Sequence, residues 1–126
     1  MQAWIDRDGE FLALRRNQEP MKGEWNMPGG FVEQGESGAQ AVAREVREET
    51  GLEVDVIESI GAFPSTYGDG DDAQPTLGLA YLCRIGGGEE EISDESEEAG
   101  WFSLAEFPEP AFADERRALA IMRSRS

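Results

Sequence analysis

Between Ser37 and Gly51 the chain carries a helix whose ends and faces are both marked. Ser37 is a residue type that caps helix N-termini, and Gly51 stands where a C-terminal glycine ends one. On a wheel of about 100° per residue, Ala39, Val42, Ala43 and Val46 gather on one arc. The neighbouring arc, again about 100° wide, holds Glu45, Glu48 and Glu49. The apolar edge belongs against a core. Like charges three and four positions apart repel, so the acidic arc is either a solvated face or a site awaiting a counter-ion. Glu49 borders the apolar edge and is expected to be partly shielded from water. Arg44, one turn before Glu48, can pair with it, whereas Arg47 is turned away.

The flanking sequence supplies the other layer. Ala3-Trp4-Ile5 and Phe11-Leu12-Ala13-Leu14 flank Asp8-Gly9, a short hairpin signal. Residues 18–30 are loop-like, rich in Pro and Gly, with Trp25 and Met27 as anchors. Val54 to Phe63 reads as a strand and Pro64 to Pro75 as a polar loop that includes Asp69. Leu77 to Ile85 reads as a strand buried on both faces. Gly86 to Glu98 reads as a solvated glycine-then-acid loop, Trp101-Phe102 as a short strand, and Ala113 to Met122 as a closing amphipathic helix. The expectation is one mixed α/β domain over residues 1–126.

Charge narrows the chemistry. The net charge of −16 repels the phosphates of DNA and RNA, which argues against a nucleic-acid polymer as partner. It also opposes a small phosphorylated substrate unless a cation reverses the local sign. No histidine occurs, so any catalytic metal must be held by oxygen, which favours Mg²⁺ or Mn²⁺. Cys83 is the lone cysteine, which excludes an internal disulfide and a cysteine-based zinc cluster. No run approaches the roughly 20 apolar residues of a membrane span, and the first residues show no leader pattern. These features lead to the expectation of a soluble cytoplasmic protein.

Gly30, five residues, Glu36, seven residues, and then Arg44-Glu45-Val46-Arg47-Glu48-Glu49-Thr50-Gly51-Leu52 resembles, at every specified position, the signature of the Nudix hydrolase family. The runs Trp25-Asn26-Met27-Pro28-Gly29-Gly30 and Glu98-Ala99-Gly100-Trp101-Phe102 also look like the family's usual pieces. The resemblance implies a Nudix α/β/α sandwich with a mixed sheet. It implies metal binding by Glu45, Glu48 and Glu49 with the carbonyl of Gly30 nearby, and a structural brace between Arg44 and Glu36. Glu48 is the first candidate for general base and Glu95 the second. Arg15, Trp25 and Tyr67 are the expected substrate contacts.

The implied reaction is metal-dependent hydrolysis of the pyrophosphate bond in a nucleoside diphosphate linked to another moiety. The run Glu19 to Trp25 resembles the NADH pyrophosphatase branch, without that branch's zinc ribbon. Gly68 stands where the ADP-ribose branch usually has a proline, and Tyr67 lies close to a tyrosine favoured by the dinucleoside polyphosphate branch. ADP-ribose or a dinucleotide is the leading expectation. A triphosphate-cleaving house-cleaning enzyme is the runner-up, and a non-catalytic Nudix-fold nucleotide sensor is the reading from another class. Isopentenyl diphosphate isomerase shares the fold, but it is expected to use a histidine ligand. Family members often dimerise, so a homodimer is compatible with the resemblance.

Overall fold

The two short apolar runs at the start of the chain first pair with each other. In the computed structural model, which describes residues 1–68 and 70–125, β1 (Gln2–Arg7) and β2 (Glu10–Arg16) form an antiparallel hairpin. Asp8 and Gly9 turn the chain with φ of 52° and 88°, the left-handed pair that a two-residue hairpin of matching twist requires. The Asp6 carboxylate accepts the Gly9 N–H at 2.9 Å and closes the turn.

The hairpin then divides. β1 takes a parallel partner in β5 (Gln74–Gly88), while β2 pairs with β6 (Ser96–Ser103) and, at its far end, with β3 (Trp25–Asn26). Adding β4 (Leu52–Tyr67) outside β5 gives a mixed sheet of order β3-β2-β1-β5-β4, with β6 beside β2.

Strand alternation explains why the central runs are apolar without interruption. Ala3, Ile5, Leu12 and Leu14 face Val42 and Val46 of α1 (Gly38–Thr50). Trp4, Phe11 and Ala13 face Ala118, Leu119 and Met122 of α2 (Ala113–Arg125) on the other side. A strand covered by helices on both faces has no side to leave polar. The result is the α/β/α sandwich expected from the sequence.

Both ends of α1 are fastened as its sequence suggests. Ser37 Oγ accepts the Gln40 N–H at 3.1 Å and the Gln40 side-chain oxygen accepts the Ser37 N–H at 2.8 Å, a reciprocal cap. Gly51 adopts φ 77° and donates its N–H to the Arg47 carbonyl at 3.0 Å.

Three expectations need correction. The polar stretch after Phe63 is largely strand: β4 runs on to Tyr67, pairing Ser65 with Thr76 and Tyr67 with Gln74. Backbone pairing carries this extension beyond the core, where side-chain pattern no longer marks it. A 3₁₀ turn at Gly70–Asp72 lies at its tip, and Asp69 lies outside the described residues. Leu77 is 63% exposed rather than buried, because it lies on that extension. The segment Gly86 to Glu98 also contributes strand at both ends, to Gly88 and from Ser96.

One buried carboxylate ties α2 to the loop between β3 and α1. Glu115, 4% exposed, accepts the Met27 N–H at 2.9 Å and the Phe112 N–H at 3.4 Å. Burial pushes its pKa up to about 8, with Asp114 adding repulsion and the two N–H donors and Arg16 opposing. A carboxyl raised on folding binds its proton more tightly in the native state, so its contribution to stability falls as pH rises through that window. Glu115→Gln removes the charge, and its urea midpoint relative to the parent is therefore expected to rise between pH 5 and pH 8.5. A difference independent of pH contradicts this assignment.

Candidate active site

The loop after β3 runs close against both the chain's first residues and α1. Ala3 donates its N–H to the Pro28 carbonyl at 2.8 Å and Gly30 donates to the Met1 carbonyl at 3.2 Å, so residues 28–30 run alongside the chain's first residues. A Cβ on Gly29 would collide with the Met1 carbonyl, and one on Gly30 would lie 2.7 Å from the Glu45 carboxyl carbon. At Gly29, where the obstacle is backbone, glycine is a requirement of close approach, and a side chain at Gly30 would displace the Glu45 carboxylate. From α1, Glu49 Oε2 accepts the Gly29 N–H at 2.8 Å.

Arg44 organises the acidic arc. Its Nε and Nη2 bind the two oxygens of Glu36 at 2.7 and 2.9 Å, a bidentate pair. Nη1 reaches Glu45 at 2.8 Å and Glu48 at 3.3 Å, while Nη2 also donates to the Phe31 carbonyl at 3.3 Å. Both pairings open to Arg44 in the sequence, with Glu36 and with Glu48, therefore occur together. The guanidinium holds the Glu36 carboxyl down at about 2, and its own pKa is raised. Glu49 lies beyond its reach. Burial pushes Glu49 up to about 8, with Glu45 and Glu95 adding repulsion and the Gly29 N–H and Arg16 opposing. Burial also raises Glu45, against the pull of Arg44.

Glu45 and Glu49 line a cleft of about 530 Å³ together with Gly29, Gly30, Glu95, Asp114 and Glu115. Phe31, Tyr67, Leu77 and Phe112 supply its apolar wall. Tyr67 meets Phe31 edge-on at 5.3 Å and lies near-parallel to Phe112 at 6.3 Å. Glu48 is not among the lining residues; its side chain is 57% exposed beside Arg44.

The structure places Arg15 and Trp25 elsewhere. Arg15 pairs with Glu97 and Glu98, and Trp25 packs edge-on against Phe102. The cleft is instead lined by Arg16, its sole lysine or arginine among the described residues. Arg16 is anchored by the Pro20 carbonyl at 2.6 Å, lies 5.2 Å over the Phe112 ring, and donates to the suitably oriented Asn26 amide oxygen at 3.0 Å. Arg16, Phe31, Asp114 and Glu115 are absent from the sequence-based set.

The donor set suits a hard cation. Three carboxylates and the Gly30 carbonyl are all oxygen, as Mg²⁺ or Mn²⁺ prefers. The Gly30 carbonyl accepts a hydrogen bond from the Met1 nitrogen at 2.6 Å. Among the described residues, no three acidic side chains stand close enough to form a finished ligand shell.

The family model described as NUDIX domain matches residues 3–121. A protein of Methanocaldococcus jannaschii named ADP-ribose pyrophosphatase is 36% identical over 119 residues, covering 94% of this chain and 69% of its own length. An NAD-capped RNA hydrolase, NudC, of Pseudomonas aeruginosa is 38% identical over 104 residues, or 79% of this chain. The chain spans 34% of that relative's length. Among solved structures, the MutT NUDIX hydrolase from Burkholderia pseudomallei superposes with a TM-score of 0.81 at 31% identity, over 94% of this chain and 92% of that one.

Glu36 offers a direct check on the brace. Its depressed pKa means that its stabilising pairing is present above the usual carboxylate range and is lost as pH falls towards about 2. The parent is expected to be more stable than Glu36→Gln at pH 7, with the gap in denaturation midpoint narrowing as pH falls from 4.5 towards about 2. A gap that does not narrow over that range contradicts an ionic brace.

Proposed function

The chain belongs to the Nudix hydrolase family, and from that membership we propose that it hydrolyses, with a divalent metal ion, the pyrophosphate bond of ADP-ribose or a dinucleotide. The observation that carries this reading is the bond from the Gly29 N–H to Glu49 and the close approach of Glu45 to Gly30, in one cleft with Arg16 and Glu95. The likeness to the archaeal protein named ADP-ribose pyrophosphatase supports the choice of substrate.

Glu45, Glu48, Glu49 and the Gly30 carbonyl are the residues that would hold the ion. Once bound, it would neutralise the diphosphate and lower the pKa of an attacking water. The remaining chemistry falls to the chain's own side chains. Arg16 offers a guanidinium to a phosphate oxygen in a cleft that is otherwise acidic. Glu95 takes the proton from the attacking water; we favour it over Glu48 because Glu95 lines the cleft, whereas Glu48 does not. As the new P–O bond forms, the bridging P–O bond breaks and its electron pair leaves with the second phosphate. The products are a nucleoside monophosphate and a phosphorylated remainder. Tyr67 presents a ring face or edge on which a base can stack.

The test is product release with Mg²⁺ across ADP-ribose, NADH, diadenosine polyphosphates, 8-oxo-dGTP and dGTP. ADP-ribose or a dinucleotide is expected to turn over fastest, and dominance of a triphosphate contradicts the substrate assignment. The Glu48→Gln/Glu49→Gln double variant is expected to lose at least about a hundredfold in kcat. Undiminished hydrolysis by that variant contradicts the site.

A further inference from the structure

Glu95, the proposed base, stands on a segment outside the regular elements. The chain from Glu89 to Glu95 joins β5 to β6, and Glu95 itself is exposed. A carboxylate on such a segment takes a proton from a defined direction only if the backbone beneath it is held. The near end of the segment is fastened to α1. Glu91 donates its N–H to the Thr50 carbonyl at 2.7 Å and Ser93 to the Glu49 carbonyl at 3.0 Å. These are carbonyls that the last turn of a helix leaves unpaired. Ile92, between them, packs against the cluster that holds Val42 and Val46, and the Trp101 indole N–H donates to Glu90 at 2.8 Å. None of these contacts involves Asp94 or Glu95.

The far end is held from β2. The ladder of β2 with β6 pairs Arg15 with Glu98 and Arg16 with Ser96, so Glu97 is the extra residue of a bulge. Beyond the last pair, Asn17 continues the contact with both its backbone and its side chain. Its backbone N–H donates to the Glu95 carbonyl at 3.0 Å and its side-chain amide to the Asp94 carbonyl at 3.1 Å. Arg16 and Gln18 line the cleft, whereas Asn17 does not. Asn17 therefore grips the backbone of Asp94 and Glu95 from outside the cleft, between two residues that face it.

Residue type matters at position 17. A carbonyl accepts and does not donate, so the side chain that meets the Asp94 carbonyl must bring a donor. Asparagine brings one on a short stem. Aspartate has the same shape but offers acceptors only, and it would set a negative charge against that carbonyl.

We propose that Asn17 is a positioning residue for the reaction: it fixes the turn at Asp94 and Glu95 so that the Glu95 carboxylate stays in the cleft. The proposal rests on the hydrolysis and on the role given to Glu95 above. Because Asn17 lies outside the cleft, its effect on the reaction passes through Glu95.

Asn17→Ala and the isosteric Asn17→Asp test it, each made in the parent and in Glu95→Gln. In the parent each is expected to lower kcat at least about tenfold with KM unchanged within about twofold. In Glu95→Gln the same substitutions are expected to change kcat by less than about twofold, since the group they misplace is already gone. An equal fold loss in both backgrounds, or a loss carried by KM, overturns the proposal, because disturbance of Arg16 or of the fold produces either. Amide hydrogen exchange followed by NMR supplies a second measurement that needs no substrate. Both substitutions are expected to speed exchange at least about tenfold at Glu95 and Ser96, whose N–H groups bond Ser93 within the turn, and to leave Leu12 and Leu14 unchanged. Unchanged exchange at Glu95 and Ser96 overturns the clamp. Should the parent hydrolyse nothing, or Glu95→Gln match it, the proposed hydrolysis or the proposed base fails, and the exchange rates alone decide whether Asn17 holds the segment.

Discussion

The geometry of the candidate site depends on one guanidinium. Arg44 binds both oxygens of Glu36 and also reaches Glu45, Glu48 and the Phe31 carbonyl. A planar fork with five donors is suited to joining several carboxylates at fixed angles, which a lysine ammonium is not. Through these contacts the loop after Gly30 is fastened to the middle of α1. One positive charge against three carboxylates of the helix and a fourth in the loop leaves the arc negative. That residual charge is what a divalent cation would satisfy.

The glycine loop is also gripped from both layers of the sandwich. Glu49 on α1 accepts the Gly29 N–H, and Glu115 on α2 accepts the Met27 N–H. The loop reaches these carboxylates because β1 and β2 carry helices on both faces. Each helix therefore contributes one shielded carboxyl to the same short stretch of backbone. Burial raises both groups, since a carboxylate removed from water loses hydration that one or two N–H donors do not replace. The core positions the site, and the site's unusual carboxyls follow from that position.

Much of this was readable from residue types and spacing. Ser37, Gly51 and the apolar stripe of Val42 and Val46 marked α1, and Asp8-Gly9 marked the hairpin, because these are local signals. The outer pairing of β4 with β5 was hidden, since its exposed strands bury no side-chain pattern. Arg16 was hidden for a different reason. Both arginines end β2 beyond its apolar run, and the cleft that Arg16 lines is assembled from residues distant in sequence, such as Glu49, Phe112 and Glu115. Glu115 lies in Asp114-Glu115-Arg116-Arg117, a run that reads as a solvated helix start. Its burial arises from long-range packing of α2 on the loop at Met27.

The central claim is that the acidic arc of α1, set against Gly30, is a divalent-cation site. Electron paramagnetic resonance with Mn²⁺, titrated into the parent and into Glu45→Gln/Glu49→Gln, tests it without reference to any substrate. The parent is expected to sequester Mn²⁺ and the double variant, with its far-UV circular dichroism unchanged, to leave it free in solution. Equal binding by the two proteins would contradict the account.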